Sequence, residues 1–256
     1  MVSGSRRFRL RVEYDGTEFA GFQYQAGLRT VQEVLETAVT SATGQFARVH
    51  GSGRTDAGVH ALGQEVHFDV STRMSDQRLA TALNALLPRD VSVRRCRETQ
   101  PGFHVRYDAT GRLYRYAVWH SPMRSAVADR FTWQVTGALD FEAMRQAGRI
   151  MVGLHDFGAF GKPARPERST VRCVRLVRIE NRLGFVLVWV EGNAFLRHMV
   201  RAMGGTLVSV GRGRTSPDGV AQILLSRDPS RCPPIAPAKG LCLFRVNYAG
   251  KRIVEV

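Results

Sequence analysis

Several short segments of the chain alternate hydrophobic and polar residues, which is the pattern of a strand that buries one face. In residues 7–14, arginines alternate with Phe8, Leu10 and Val12. Residues 64–70 repeat the pattern, with Val66 and Phe68 on one side. These segments therefore predict strands. The same reasoning predicts further strands at residues 46–50, 91–97, 112–120, 171–180, 184–191 and 241–248.

Other segments place their apolar residues three or four positions apart, the spacing of one helix face. Val31, Leu35 and Ala38 follow this spacing directly after Thr30, whose hydroxyl suits the N-cap of a helix. The sequence therefore predicts a helix that begins after Thr30. Further helices are predicted between a Ser75 cap and Pro88, and at residues 140–152, 195–210 and 220–225.

Strands and helices follow one another in two successive series of similar rhythm. This order favours an α+β protein with two related lobes, each an antiparallel sheet flanked by helices. Low-complexity segments are absent, and the boundary between the two series falls between about Arg97 and Gly111. We expect an N-terminal lobe over residues 1–105 and a C-terminal lobe over residues 106–256.

Charge changes this picture more than overall composition does. The chain has 256 residues, with 37 Lys plus Arg against 22 Asp plus Glu, so its formal net charge is +15. Such an excess attracts polyanions, of which nucleic acid is the commonest soluble one. The only lysines are Lys162, Lys239 and Lys251. Arginine binds phosphate in a bidentate fashion, although a GC-rich genome would also favour arginine.

The cysteines and the N-terminus indicate the compartment. Cys96, Cys173, Cys232 and Cys242 form no C-x-x-C pair and have no histidine at metal-ligand spacing, so we expect reduced thiols and no metal site. Residues 1–11 lack the apolar run of a signal peptide, and no segment has the length of a membrane span. We therefore expect a cytoplasmic protein that does not enter the membrane.

The segment Gly-Ser-Gly-Arg-Thr-Asp-Ala-Gly-Val-His-Ala, residues 51–61, is the strongest candidate for chemistry. Its glycines allow sharp turns and a close approach to a ligand. A guanidinium at Arg54, a carboxylate at Asp56 and an imidazole at His60 lie within it. No Gly-Lys-Ser/Thr follows, so it is not a phosphate-binding loop of that class. Composition alone leaves two interpretations open, a reactive loop and an ordinary turn.

Residues 53–60, Gly-Arg-Thr-Asp-Ala-Gly-Val-His, resemble the signature of the tRNA pseudouridine synthase A family. The resemblance extends along nearly the whole chain, and is weak only over residues 123–137. Phe22 departs from the family, which usually has tryptophan there. Other segments that resemble the family, in order, are residues 13–17, 21–23, 31–32, Asn84 with 87–88, 103–106, 112–116, 193–201 and 240–241.

This resemblance implies an enzyme that isomerises uridine to pseudouridine in the anticodon stem-loop of tRNA, at tRNA positions 38, 39 and 40. It implies a homodimer and a pseudouridine synthase fold in which a central basic cleft holds Asp56. The reaction needs no redox change, group donor or energy source, so we expect no cofactor. Asp56 is the implied nucleophile. Attack on C1′, attack on the base and a glycal route all remain open.

The resemblance also implies roles for other residues. Arg201 corresponds to the ion-pair partner of the catalytic carboxylate, and Tyr114 to the tyrosine that stacks on the target base. Arg54 would fill the space of the flipped base or hold the adjacent phosphate. Further implied RNA contacts are Phe103, His104, Arg106, Arg168, Thr170 and Arg172. For His60 and His198, neither of which has an evident acid–base partner, we expect structural roles.

Three rival interpretations remain. The nearest alternative is a pseudouridine synthase for another RNA, such as ribosomal RNA. A non-catalytic RNA-binding protein would keep the charge, but the presence of Asp56, Arg54, Tyr114 and Arg201 argues against it. A hydrolase of small substrates that uses an aspartate would fit the loop, but would leave the charge of +15 unexplained.

Overall fold

The computed structural model describes residues 4–163 and 167–249. In chain order these residues form β1 (Arg6–Tyr14), α1 (Val31–Thr43), β2 (His50–Gly51), β3 (His60–Val70), α2 (Asp76–Leu86), β4 (Val91–Thr99), β5 (Ala109–His120), β6 (Trp133–Val135), α3 (Phe141–Ile150), β7 (Gly153–Asp156), β8 (Val171–Arg182), β9 (Phe185–Gly192), α4 (Met199–Gly211), α5 (Pro217–Ser226) and β10 (Leu241–Tyr248). The α+β class predicted from the sequence is confirmed.

The described residues divide into two compact units, residues 4–110 with 243–249 and residues 111–163 with 167–242. The predicted boundary between the lobes lies at residues 105–106. The structure differs from that prediction mainly in the last strand. Residues 243–248 of β10 belong to the first unit, where β10 lies beside β3. The order of elements along the sequence does not show that the last strand joins the sheet of the first unit. Residues 1–3, 164–166 and 250–256 of the predicted lobes lie outside the described residues.

The first unit is built on a sheet in the order β4-β1-β3-β10, with β2 paired to β3. Strand β1 runs antiparallel to both β3 and β4. The alternation in β1 has its expected effect, because Phe8, Leu10 and Val12 are fully buried. The arginines between them lie on the other face and are half-buried. Helices α1 and α2 pack on each other, and their apolar faces add to the core.

The second unit has a sheet in the order β5-β9-β8-β7, and β6 pairs with β5 in parallel. Val186, Val188 and Val190 of β9 form its buried face. Helix α4 is apolar on nearly every side and almost completely buried. Its Gly204 lies against the ring of Tyr116, where a Cβ would come within 3.4 Å of the ring. The prediction of a long apolar helix in this part of the chain is confirmed, although its start is not.

Two predicted elements need correction. Residues 46–49 are not a strand, and only His50 and Gly51 pair with β3. The Val49 N–H donates to Glu36 Oε1 at 3.0 Å, so a side chain of α1 takes the place of a neighbouring strand. Helix α4 begins at Met199 rather than near residue 195, because His198 adopts a left-handed backbone conformation with φ 65°.

Strands β6 and β7 were not predicted, since β6 lies in the weakly matched region and β7 has only four residues. Within the described residues, no helix is both long and apolar enough to cross a membrane. All four cysteines are free thiols; Cys96 and Cys242 are buried, whereas Cys173 and Cys232 are half-buried.

Candidate functional site

The loop that carries Asp56 connects β2 to β3 in the first unit, and its first residues are tied to β3. The Ser52 N–H donates to the Glu65 carbonyl oxygen at 2.8 Å, and its hydroxyl donates to Gln64 Oε1 at 2.8 Å. The other end of the same amide group, Gln64 Nε2, donates to the Gly53 carbonyl oxygen at 2.8 Å. A buried glutamine of β3 therefore fixes the path of the loop as it leaves the sheet.

The residue before Asp56 is held by a different part of the unit. The Thr55 carbonyl oxygen accepts a hydrogen bond from the Phe22 N–H at 3.0 Å. The Thr55 hydroxyl lies 2.8 Å from the hydroxyl of Tyr14, and both are buried. Gly21 has φ 105°, and a Cβ there would lie 2.9 Å from the Thr55 carbonyl oxygen. Glycine at position 21 thus lets the two chain segments come this close.

Asp56 itself begins a tight turn and remains half-buried. Its carbonyl oxygen accepts a hydrogen bond from the Val59 N–H at 3.1 Å. Gly58 takes the left-handed conformation that the turn requires, with φ 76°, and its N–H donates to the Phe19 carbonyl oxygen at 3.3 Å. The backbone on both sides of Asp56 is therefore anchored, while the residue as a whole is only half-buried.

His60 follows this turn, and its ring is buried in contact with the turn after β1. Its Nδ1 accepts a hydrogen bond from the Gly16 N–H at 3.0 Å, and the same atom lies 3.2 Å from Asp15 Oδ1. The ring is 5% exposed, so it is packed inside the unit. These contacts agree with the structural role expected for His60, which fixes the end of the loop against the turn after β1.

Arg54 and Arg106 are brought near each other in the first unit. Partial burial, followed by the positive charge of Arg106, lowers the pKa of the Arg54 guanidinium. Both side chains belong to exposed residues. Two guanidinium groups that repel each other are stabilised when an anion binds beside both. This pair is therefore suited to hold a phosphate group close to the Asp56 loop.

The other predicted contacts of the first unit lie in one turn. The Phe103 ring is 5.3 Å from the ring of Tyr248, and the Arg9 guanidinium lies 5.1 Å from the Phe103 ring centre. His104 Nδ1 accepts hydrogen bonds from the N–H groups of Arg106 and Tyr107, at 3.1 and 3.4 Å. Phe103 is thus stacked within the unit, whereas His104 shapes the turn that projects Arg106.

Tyr114 and Arg201 belong to the second unit. Tyr114 is 8% exposed, and the edge of its ring meets Phe195 with the ring centres 5.2 Å apart. Arg201 lies in the first turn of α4, where its Nε donates to the Ala236 carbonyl oxygen at 2.9 Å. The Ala236 N–H returns a hydrogen bond to the Arg201 carbonyl oxygen at 3.1 Å. Both side chains are therefore held in defined positions.

The remaining predicted contacts lie on the approach to β8. Arg168 is exposed. A hydrogen bond with the Thr170 side chain is the largest cause of the lowered pKa of Asp156. Arg172 Nη1 donates to the carbonyl oxygens of Ser169 and Val171, at 2.7 and 2.6 Å, and burial lowers its pKa. Of these three residues, Arg168 is thus the one whose exposure best suits contact with RNA.

Sequence reasoning missed the residues that position the loop, namely Tyr14, Gly21 and Gln64. The first two lie in segments that resemble the family, so a signal existed, but it gave no role. Gln64 had no signal beyond its place in β3. Within the described residues, no three His, Cys, Asp or Glu side chains are arranged to hold a metal ion.

Comparisons with known proteins agree on one family. The family model described as tRNA pseudouridine synthase matches residues 11–108 and 147–249. A protein named tRNA pseudouridine synthase A from Syntrophotalea carbinolica is 44% identical over 247 residues, which cover 96% of this chain and 98% of the relative. Proteins of the same name from Solidesulfovibrio magneticus and Geobacter sulfurreducens are 46% and 42% identical, over 94% and 95% of this chain and 91% and 100% of the relatives.

Proposed function

The chain belongs to the tRNA pseudouridine synthase family, and we propose on that basis that it isomerises uridine to pseudouridine in tRNA. The observation that carries the proposal is the identity of 44% with a named relative across nearly the full length of both chains. A second support is the loop of Asp56, which is anchored on both sides and leaves this residue half-buried rather than enclosed. The charge of +15 suits a polyanionic substrate.

The reaction breaks the bond between uracil N1 and ribose C1′, rotates the base and joins C5 to C1′. The proton lost from C5 balances the one gained at N1, so substrate and product are isomers. A carboxylate must stabilise or trap the sugar or the base when the first bond breaks. We assign this role to Asp56, and the choice between attack on C1′, attack on the base and a glycal route stays open.

The other site residues keep the roles that the resemblance gives them. Tyr114 stacks on the target base, and Arg201 is the ion-pair partner of the Asp56 carboxylate. Arg54 fills the space of the flipped base or holds the phosphate beside it. The nearby charge of Arg106 supports the second role of Arg54, because one phosphate relieves the repulsion between the two guanidinium groups. Phe103, His104, Arg168, Thr170 and Arg172 complete the proposed RNA contacts.

The finer parts of the proposal rest on the resemblance. We place the target uridines in the anticodon stem-loop, the enzyme in the cytoplasm and the active form as a homodimer without a cofactor. The names of the relatives support tRNA as the substrate class and do not specify its positions. Light scattering on the purified protein tests the dimer directly, since a mass of one 28.5 kDa chain would contradict it.

The test of the reaction is pseudouridine mapping on unmodified RNA. The purified protein is incubated with tRNA transcripts and, separately, with ribosomal RNA transcripts, and every new pseudouridine is located by sequencing and mass spectrometry. We expect conversion in the anticodon stem-loop of tRNA. Conversion in ribosomal RNA alone would support the other substrate class. Binding of tRNA without any conversion would overturn the enzyme proposal in favour of an RNA-binding protein.

A further inference from the structure

Three of the seven histidines of the chain meet in one cluster of the first unit. The rings of His50 and His67 are stacked, with their centres 4.9 Å apart and their planes 19° apart. The ring of His104 meets His67 edge-on at 4.6 Å, and Tyr107 lies 4.2 Å from His104. We call these four residues the aromatic platform. None of them except His104 has a role in the proposed reaction.

The platform is open to solvent on one side. Tyr107 is 77% exposed, His50 is exposed and His104 is half-buried, whereas His67 is 2% exposed and lies beneath them. Single exposed rings are common, but a contiguous group of exposed rings is typical of an interaction site. The open side of the platform therefore offers ring faces to a flat partner.

The segment that leads to the platform carries the same chemistry. Ala47 and Val49 are buried, so Phe46, Arg48 and His50 lie on the opposite, exposed side. Phe46 is 66% exposed, and the Arg48 guanidinium lies over its ring at 5.5 Å. Alternation of exposed aromatic rings with arginine is typical of surfaces that bind unpaired nucleotides.

The surroundings of His67 and His104 lower the pKa of both rings and so disfavour a positive charge on them. Burial lowers the pKa of His67 to about 4, with smaller effects from His104 and His50. Burial and the charge of His50 also lower the pKa of His104. Neutral imidazoles attract a phosphate only weakly. The platform is thus better suited to stack on bases than to bind phosphate, which Arg54 and Arg106 are placed to do.

The side chain of His67 gives an independent indication. Its Nδ1 is buried and has no hydrogen-bond partner. An unsatisfied buried nitrogen reduces stability, and an apolar ring of similar size would not incur that cost. The rings of His50 and His104 both rest on His67. His67 therefore supports those two rings from the buried side of the platform.

We infer that the aromatic platform stacks unpaired bases of the RNA substrate next to the target uridine, while Arg54 and Arg106 bind the adjoining phosphates. This inference rests on the proposed function, because it takes the substrate to be RNA. The charge of the neighbouring Arg54 and Arg106 complements an RNA backbone, whereas Arg48 pairs with Glu36 at 3.3 Å. The bases are recognised by their faces, so the platform tolerates different sequences at that position.

The experiment uses the full-length protein and unmodified tRNA transcripts that carry 2-aminopurine at one unpaired position at a time. Fluorescence of this base falls when it stacks on an aromatic ring. The variants are Tyr107→Ala, Tyr107→Phe and Leu86→Ala, a matched control because Leu86 is 50% exposed elsewhere in the same unit. Circular dichroism verifies that each variant is folded. Arg106→Ala provides the comparison for a phosphate contact.

We expect Tyr107→Ala to weaken tRNA binding by about ten-fold and to remove the fluorescence change at one or two positions. Tyr107→Phe and Leu86→Ala should behave like the wild type. The dependence of affinity on salt should be unchanged in Tyr107→Ala, whereas Arg106→Ala should reduce its slope by about 1. Normal binding and fluorescence in Tyr107→Ala would overturn the inference, as would a fall in its salt slope.

The two proposals fail in distinguishable ways. If the wild type forms pseudouridine and Tyr107→Ala matches it in binding and fluorescence, the platform is wrong and the proposed function stands. If the wild type forms no pseudouridine but stacking still depends on Tyr107, the platform stands and the proposed function fails.

Discussion

Asp56 is positioned by residues that are distant from it in the sequence. Its neighbour Thr55 is held by the hydroxyl of Tyr14 and the N–H of Phe22, and the start of its loop is held by Gln64. None of these residues has to react with the substrate. Their effect is to fix the backbone that carries the carboxylate, and a shift of that backbone costs reaction rate.

Replacement of Gly21 tests this dependence. Gly21→Ala introduces a Cβ 2.9 Å from the Thr55 carbonyl oxygen at φ 105°. We expect a loss of about 1–3 kcal/mol in the free energy of unfolding and a fall in kcat of roughly ten- to hundred-fold, because the loop must move. Single-turnover kinetics and denaturant unfolding measure the two effects.

Gly27→Ala is the matched control for Gly21→Ala. Gly27 also has a positive φ, 74°, but a Cβ there would meet nothing within 4 Å. Gly27→Ala should lower the free energy of unfolding by about 1–2 kcal/mol because it strains the backbone, and its kcat should not change. Equal losses of kcat in the two variants would contradict the claim that Gly21 acts through the loop.

His67 makes stability depend on pH. The unfolded chain binds a proton at this ring near pH 6.5, whereas the folded protein binds it only near pH 4. The free energy of unfolding is therefore highest above pH 6.5 and falls as the pH drops toward 4. Between pH 7.5 and 5 we expect a loss of about 2 kcal/mol from this group. Urea unfolding of the wild type and of His67→Gln measures it, and an equal loss in both would contradict the assignment.

At the scale of elements, pattern predicted most strands and helices but failed where a side chain replaced a backbone partner. Residues 46–50 alternate like a strand, and Ala47 and Val49 are indeed buried, whereas Phe46 is exposed. The Val49 N–H nevertheless bonds to the carboxylate of Glu36 from α1. Hydrophobic periodicity reports which side of a segment is buried and does not report which group takes its hydrogen bonds.

At the outer edge of a sheet, the Asn84 side chain likewise takes the place of a neighbouring strand. Strand β4 is the first in the order of the first unit's sheet, so one side of it has no neighbouring strand in that order. The Asn84 side chain donates to the Val93 carbonyl oxygen at 2.9 Å and accepts from its N–H at 2.7 Å. One amide from α2 therefore pairs with β4 as a strand would.

Asn84→Ala should leave both groups of Val93 without this partner and lower the free energy of unfolding by about 1–3 kcal/mol. Thr81→Ala, on an exposed position of the same helix, should change it by less than about 0.5 kcal/mol. Chemical denaturation of the two variants makes the comparison. Similar stabilities would show that the Asn84 contacts contribute little.

At the scale of the whole molecule, part of the positive charge is compensated within the fold. Arg7 pairs with Asp69, and both Arg9 and Arg11 pair with Glu65. These pairs lie on the face of the first unit's sheet that is opposite Phe8, Leu10 and Val12. Arg54 and Arg106 instead reinforce each other's charge. The excess of +15 is therefore not spread evenly, and Arg54 and Arg106 bring two positive charges near each other beside the Asp56 loop.

Binding of tRNA should accordingly depend strongly on salt. Each phosphate neutralised by an arginine releases counterions, so affinity should fall about a thousand-fold or more between ~50 and ~200 mM monovalent salt for six or more contacts. Filter binding over this range measures the slope, and unfolding curves at the same salt concentrations exclude denaturation as the cause. A nearly constant affinity would contradict an arginine-based RNA interface.

The order of elements and the reactive loop could be predicted from the sequence, since both depend on local pattern and on a continuous motif. The return of β10 to the first unit could not, because strand pairing over such a separation leaves no local signal. The aromatic platform escaped for the same reason. Of its histidines, only His104 was singled out by the resemblance, and only the pairing of β2 with β3 and the turn at His104 bring the three rings together.

The most direct test of the account compares Asp56→Asn with Asp90→Asn on unmodified tRNA transcripts. Both changes remove one negative charge and keep the size of the side chain. Asp90 pairs with Arg29 at 2.8 Å and has no part in the proposed reaction. Pseudouridine is mapped after a single turnover, and tRNA affinity is measured on the same samples. The account predicts conversion in the anticodon stem-loop by the wild type and Asp90→Asn, and none by Asp56→Asn despite normal binding. Conversion by Asp56→Asn at the wild-type rate would contradict it.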